Sequence, residues 1–253
     1  MVCFKNVITE ERMGFEDEGY VHPDNRRRAK PKVELVVSTP NCVGVADESA
    51  SLCVGKSPDG KSLKHALKSG HESVLEHVSF TFKISGISRA CSHQLVRHRL
   101  ASYSQQSQRY VSEHSFEYVI PESIKKDGRA DEQYSWAMKV IQKVYDDLVG
   151  HGIPKEDARY ILPNACTTSL IVTMNARELR HFFGLRCCSR AQWEIRDVAN
   201  IMLAECKRVA PDIFSDAGAY CISRGFCTES RSCGKYPTLE SIKKKIEEAD
   251  SNE

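Results

Sequence analysis

Tyr134, Met138, Ile141, Tyr145 and Leu148 follow one another at steps of four, three, four and three. Only one face of a helix returns large apolar side chains at that interval, so this stretch must form an amphipathic helix lying on something apolar. It ends near Gly150 and Gly152, and Pro154 suits the first turn of a short helix to Leu162. Thr167 to Met174 is rich in β-branched residues and predicts a buried strand. Asn175, with Glu178 three residues on, predicts a capped helix to Phe183. Ser189 with Gln192 repeats that pattern before a helix carrying Ile195, Val198, Met202, Leu203 and Cys206 on one side.

Upstream, Val33 to Val37 predicts a strand ended by Pro40, and Ser62 to Ser69 a short helix stopped near Gly70. Phe80, Phe82 and Ile84 alternate with polar residues, as a half-buried strand does, and Phe116, Tyr118 and Ile120 alternate again before Pro121. Cys91 to Leu100 predicts a helix, residues 122–132 a charged linker, and the Lys243–Lys245 and Glu247–Glu248 end a solvated helix. No internal repeat is present. Helices dominate over a few strands that are not sequence neighbours, which predicts an α+β fold with helices packed on a mixed or antiparallel sheet. The expected organisation is a polar extension over residues 1–32, one domain over 33–220, and a cysteine-containing charged tail over 221–253.

Lys and Arg number 36 against 34 Asp and Glu, a net charge of +2 that argues against a dedicated nucleic-acid surface. Arg26-Arg27-Arg28 with Lys30 and Lys32 is read as a solvated loop, with phosphate contact as the alternative. No apolar run reaches the roughly 18 residues of a membrane helix. The acidic first twenty residues are not a secretory signal. The 11 cysteines are odd in number and mostly scattered, Cys3, Cys42, Cys53, Cys91, Cys166 and Cys206 among them, which predicts reduced thiols in a cytoplasm. Cys221, Cys227 and Cys233, joined by Cys187-Cys188 or Cys206, could ligate zinc or an iron–sulfur cluster. Their spacing lacks the tight pair of a structural zinc site, so free thiols are expected and no metal is assigned.

Gly55-x4-Gly60-Lys61-Ser62 satisfies the literal P-loop pattern, the basis of an alternative reading as a nucleotide phosphotransferase using Gly55–Ser62. The context is poor: only Leu52-Cys53-Val54 precedes it, and Gly70 stops the following helix within ten residues. A third reading is a nucleic-acid-binding module with a cysteine-held metal, which the even charge disfavours. Neither a dinucleotide Gly-x-Gly-x-x-Gly, nor Gly-x-Ser-x-Gly, nor His-Glu-x-x-His occurs. The densest polar stretch runs from Gln94 to Tyr110 and holds Arg97, His98, Arg99, Gln105, Gln106, Ser107, Gln108 and Arg109. Guanidinium groups and amides at this density suit a ligand that carries phosphate and a hydrogen-bonding ring edge, such as a nucleotide.

Arg97-His98-Arg99, seven residues, then Ser107 resembles the signature of the flavin-dependent thymidylate synthases. Further family-like segments follow in order: His71-Glu72-Ser73 with Glu76-His77, Ala158-Arg159 to Pro163, Asn175-Ala176-Arg177, Leu185-Arg186, and Ala191 to Glu194. The resemblance spans roughly residues 33–220. It implies that family's fold and a homotetramer with flavin adenine dinucleotide (FAD) between subunits. The implied reaction converts deoxyuridine monophosphate (dUMP) to thymidylate (dTMP), with carbon from methylenetetrahydrofolate and NADPH as reductant. No nucleic acid or membrane partner is implied.

Carried over by motif, Ser73, Arg97, His98, Arg99, Gln105, Asn175, Arg177 and His181 are expected at FAD. Gln94, Arg97, Gln105, Gln106, Ser107, Gln108, Arg109, Arg159 and Arg186 are expected at dUMP. Arg186 is the expected catalytic group: a fixed cation against the pyrimidine favours an ionised ring nitrogen and a more nucleophilic ring carbon. Ser107 is assigned to binding. His71 and Tyr110 are plausible neighbours of the folate. Ser104-Gln105 stands where the family commonly has Asn-Glu, which removes a charge from that contact.

Overall fold

The computed structural model describes residues 30–250. The first half runs β1 (Lys32–Ser38), α1 (Cys42–Cys53), α2 (Lys61–Lys68), a 3-10 turn (Glu72–His77), β2 (Ser79–Ser88), α3 (Arg89–Leu95) and β3 (Ala101–Gln105). Then come α4 (Glu122–Lys125), α5 (Gly128–Gly150), α6 (Lys155–Ala158), a second 3-10 turn (Arg159–Ile161) and β4 (Thr167–Asn175). The chain ends with α7 (Ala176–Arg186), α8 (Trp193–Val209), α9 (Pro211–Phe214), α10 (Tyr220–Arg224) and α11 (Leu239–Asp250).

The four strands make one sheet in the order β1-β2-β4-β3, antiparallel at every pairing. Alternation in β2 and β4 explains the register. Phe80, Phe82 and Ile84 lie opposite Met174, Val172 and Leu170, and all six are buried on one face. On the other face the hydroxyls of Thr81 and Thr173 meet at 2.9 Å. The buried face packs against α7, α8 and α9, with Phe182, Phe183, Ile195 and Phe214 fully enclosed. Phe214 meets Phe80 edge-on at 5.4 Å. A smaller apolar cluster joins Phe116, Tyr118, Ile120 and Cys166 to Met138 of α5.

The α5 face, β1, β2, α2 and β4 form as expected, and Asn175 caps α7 by accepting from the Glu178 amide at 2.8 Å. Other expectations fail. Phe116 to Ile120 is not a strand: its one bridge joins Tyr118 to Cys166, and its apolar residues instead pack against α5. Residues 122–132 are not a linker but α4 and the start of α5, which Asp127 caps through the Ala130 amide. The helix expected to Leu100 stops at Leu95, and Ala101–Gln105 forms β3. Gln192, not Ser189, caps α8, accepting from the Glu194 and Ile195 amides at 3.0 and 3.2 Å.

All ten described cysteines are unpaired, and Cys42, Cys91, Cys166, Cys206 and Cys227 are buried. Cys206 lies in the main core with Cys42, away from the tail thiols. Cys3, the acidic N-terminal stretch and Arg26–Arg28 lie outside the described residues.

The P-loop reading fails on structure. Residues 42–53 before it form α1, not a strand. Asp47, buried in α1, accepts from the Gly60 amide at 2.8 Å and the Leu63 amide at 3.0 Å. A carboxylate of the chain's own thus takes the amides that a phosphate would need.

Candidate functional site

Ser88 caps α3, its Oγ accepting from the Cys91 amide at 3.0 Å. Glu194, 2 % exposed, accepts from the Ser88 amide at 2.7 Å and from its hydroxyl at 2.6 Å, which ties α3 to α8. After Leu95 the chain turns so that His98 points inward while Arg97 and Arg99 stay exposed. The Tyr103 hydroxyl lies 2.8 and 2.9 Å from the carbonyls of Leu95 and His98 and pins that turn.

His98 is 5 % exposed and packs edge-on to Phe182 at 4.9 Å. Its Nδ1 lies 3.1 Å from Glu178 Oε1, and its Nε2 lies 3.1 Å from Arg186 Nε. Burial, then the charges of Arg186 and His181, push the imidazole down to about 4. His98 is therefore neutral at pH 7. Arg186 Nε can only donate, so Nε2 accepts and Nδ1–H donates to Glu178. Burial pushes the Glu178 carboxyl up, with His181 opposing. Arg186 Nη2 also reaches the Gln94 carbonyl at 3.4 Å, while Nη1 has no hydrogen bond among the described residues.

His98, Glu178 and His181 offer ligand atoms within 4.8 Å of one another, the spacing of a metal site. Both ring nitrogens of His98 are already engaged, and the Arg186 cation stands against one of them. The cluster is a hydrogen-bonded relay that orients a guanidinium, and it suits no cation. His181 Nδ1 lies 2.5 Å from the Tyr220 hydroxyl. Gly184 makes room for that tyrosine, since a Cβ there would stand 2.4 Å from its ring.

Other α7 residues face the first 3-10 turn. Arg177 pairs with Glu76, on the turn that also carries exposed Ser73. Arg180, 11 % exposed, forks onto Asp216 at 2.7 and 3.0 Å and reaches Glu72 at 3.0 Å and the Ile213 carbonyl at 2.6 Å. His71 is exposed beside that turn.

A second group surrounds a cavity of about 300 Å³ lined by Arg89, His93, Gln108, Arg159, Tyr160 and Asn164. Arg89 Nη2 donates to the Gln106 carbonyl at 2.9 Å, and its Nε is buried without a partner. Exposed Arg109 pairs with Glu156 at 2.8 Å, and the Arg159 Nε donates to the Glu156 carbonyl at 3.0 Å. Gln105 Nε2 donates to Ser92 Oγ at 3.0 Å and Thr168 Oγ1 at 3.2 Å. Ser107 Oγ accepts from the Arg109 amide at 3.2 Å and touches no general base, so nothing activates it as a nucleophile. Exposed Tyr110 lies under the Arg109 guanidinium at 5.5 Å.

The structure thus gathers Gln94, His98, His181 and Arg186 in one place, Gln108 and Arg159 in a second, and Ser73 with Arg177 in a third. Arg97 and Arg99 make no ion pair among the described residues. Sequence reading missed Arg89, His93, Glu178 as the partner of His98, and Tyr220. Glu178 was visible only as a helix cap, and Arg89 had no motif to mark it.

A family model described as thymidylate synthase complementing protein matches residues 31–212, well over half of the chain. The chain is similar to the flavin-dependent thymidylate synthase of Clostridium tetani, 46 % identical over 242 residues, covering 83 % of this chain and 96 % of the relative. That of Geobacter sulfurreducens is 59 % identical over 169 residues, covering 66 % and 72 %. That of Pyrococcus furiosus is 52 % identical over 177 residues, covering 67 % and 72 %.

Proposed function

The chain belongs to the flavin-dependent thymidylate synthase family, and from that membership we propose how its residues serve the methylation of dUMP to dTMP. Methylenetetrahydrofolate gives the carbon and NADPH the reducing equivalents. Bound FAD supplies the hydride. Residues 33–220 form the catalytic domain in this reading.

The donor set fits the flavin nucleotide. Arg97 and Arg99 are exposed guanidinium groups without a carboxylate partner among the described residues, which suits a pyrophosphate. Asn175, Arg177 and His181 on α7 would complete that set, with Ser73 on the turn whose Glu76 pairs with Arg177; Gln105 and His98 are assigned to it by motif.

The observation that carries the reading is Arg186, held by neutral His98 at 3.1 Å and by the Gln94 carbonyl at 3.4 Å. His98 adds no second charge there, so Arg186 keeps one fixed cation to lower the pKa of the pyrimidine nitrogen and activate the ring carbon. Arg159 and Arg109 would take the phosphate with Gln106, Ser107 and Gln108, and Arg89 extends that surface. Arg109 must then leave or share Glu156.

A cavity of about 300 Å³ admits a small nucleotide but cannot also enclose a dinucleotide. The homotetramer with sites shared between copies enters this reading through the family resemblance. No helix among the described residues is long and apolar enough to cross a membrane. The free thiols support a cytoplasmic setting.

The test is the visible spectrum of the purified protein before and after dUMP, followed by turnover with methylenetetrahydrofolate and NADPH. A flavin spectrum that dUMP perturbs, with dTMP formed, is the expected result. A protein that stays colourless after incubation with FAD would refute the reading.

A further inference from the structure

Where α7 ends, a second cavity of about 400 Å³ opens, and Cys187, Cys188, Cys221, Cys227 and Cys233 line it. They arrive from three stretches: just after α7, the start of α10, and the loop between α10 and α11. Local structure brings that loop back over the cavity. Gly225 ends α10 with φ 76°, a left-handed turn that favours glycine. The Cys227 amide then donates to the Pro237 carbonyl at 2.7 Å, and Arg190 Nη1 donates to the Arg231 carbonyl at 2.6 Å.

Of these five thiols only Cys227 is buried. Cys233 is exposed and Cys188 and Cys221 are half-buried, yet Cys188, Cys227 and Cys233 all lie within electrostatic reach of Cys221. Cys187 differs, because it packs against the main core. Arg190, Arg196 and Lys235 line the same cavity with Glu229, which pairs with Arg190 at 3.5 Å; the lining stays net positive and would offset part of the charge of several thiolates.

We propose that Cys188, Cys221, Cys227 and Cys233 hold one thiolate-ligated metal centre, either an iron–sulfur cluster or a zinc ion, that ties the tail to the end of α7. Thiol protons leave to solvent on binding; zinc needs no redox step, and the mixed-valence iron–sulfur cluster takes its ferric irons from ferric iron supplied with the ferrous iron and sulfide. Tetrahedral zinc, with bonds of about 2.3 Å, draws its sulfurs to roughly 3.8 Å from one another. Among the described residues no three cysteine sulfurs lie within 4.8 Å, so the larger cluster needs less movement than the single ion. The centre would also steady Tyr220, the neighbour of Cys221 in sequence and the partner of His181. It is independent of the flavin reading, because its readout is metal content and tail protection.

The experiment purifies the full chain anaerobically and measures iron, acid-labile sulfide and zinc. Aliquots are then reconstituted with ferrous and ferric iron plus sulfide, or with zinc alone. The comparison is with Cys227→Ser, Cys233→Ser and the remote, exposed Cys53→Ser. Expected is one centre per chain, either about four irons with matching sulfide or about one zinc. It should fall at least about tenfold in the first two variants and be unchanged in Cys53→Ser. Trypsin should cut at Arg224, Arg231 or Lys235 only after metal removal. Cys233 is exposed, so its variant cannot fail for want of a folded core. Less than about a tenth of a centre after both reconstitutions, equal metal in the serine variants, or a disulfide among these thiols would overturn the proposal.

Discussion

His98 ties the buried part of the site to a measurable pH dependence. An imidazole in the unfolded chain titrates near 6.5, whereas in the fold His98 is pushed down to about 4 by burial and then by Arg186 and His181. The unfolded chain therefore binds a proton that the folded chain refuses between those values, so stability rises with pH across that window. The stabilising difference is complete above 6.5, is lost as pH falls toward 4, and is constant below. The gap of 2.5 units corresponds to about 3 kcal/mol. Glu178 acts in the opposite sense, because burial raises its carboxyl and favours the protonated form in the fold. The informative quantity is thus the difference between wild type and His98→Gln, with Glu178 present in both. Urea unfolding at fixed protein concentration, from pH 7.5 to 4, gives the two curves. Their separation should be flat above about pH 7 and change by about 3 kcal/mol in favour of the variant by pH 4. Parallel curves would mean that His98 titrates normally in the fold, and the neutral relay to Arg186 would be wrong.

Arg186→Ala should retain flavin, seen in its absorption spectrum, and lose dTMP formation by at least about a hundredfold, as loss of one fixed charge at a developing anion does; normal turnover would remove the role given to Arg186. Arg180→Ala breaks a cluster of three acceptors around a side chain 11 % exposed and should cost about 2–4 kcal/mol in urea unfolding, with little change in the dUMP-induced spectral shift. Gln105→Glu should destabilise by about 1–2 kcal/mol, because the Ser92 hydroxyl that must donate to the new carboxylate already donates to the Arg89 carbonyl at 3.0 Å; a more stable variant would contradict that bonding. Light scattering should give a tetramer, and a monodisperse flavin-bound monomer would contradict the shared site.

Regular periodicity was readable wherever one face of an element is buried. The α5 face and the alternation in β2 and β4 needed no tertiary information. Phe116 to Ile120 shows the limit: the same alternation arises when an irregular segment inserts every second side chain against a helix, and only the missing ladder partners tell the two apart. Helix α1 was illegible because its buried side carries Ala46, Asp47, Ala50 and Ser51, too small and polar to mark a face. At the site, arginines and amides stood out as unusual donors. The partners that fix them, Glu178, Glu156 and Glu76, are ordinary helix acids until the fold brings them across 80, 47 and 101 residues.

Helix α7 presents its cations on two faces. Arg177 and His181 are four residues apart and share a face. Arg186 is nine residues beyond Arg177, and at about 100° per residue it points roughly half a turn away. Arg186 therefore approaches a ligand lying along the Arg177 face from a different side of the helix. His98 covers the sector between them: it bonds Glu178 and Arg186, and its ring lies 6.0 Å from that of His181. Its neutrality lets it pack there without adding a cation between two cationic faces. If the Arg177 face serves the flavin and Arg186 the pyrimidine, the tetramer proposed above would supply the second ligand's remaining contacts from another chain. The helix of one protomer would then belong to two sites, and the loss of Arg186 would be complementable by mixing with subunits defective only in Arg177.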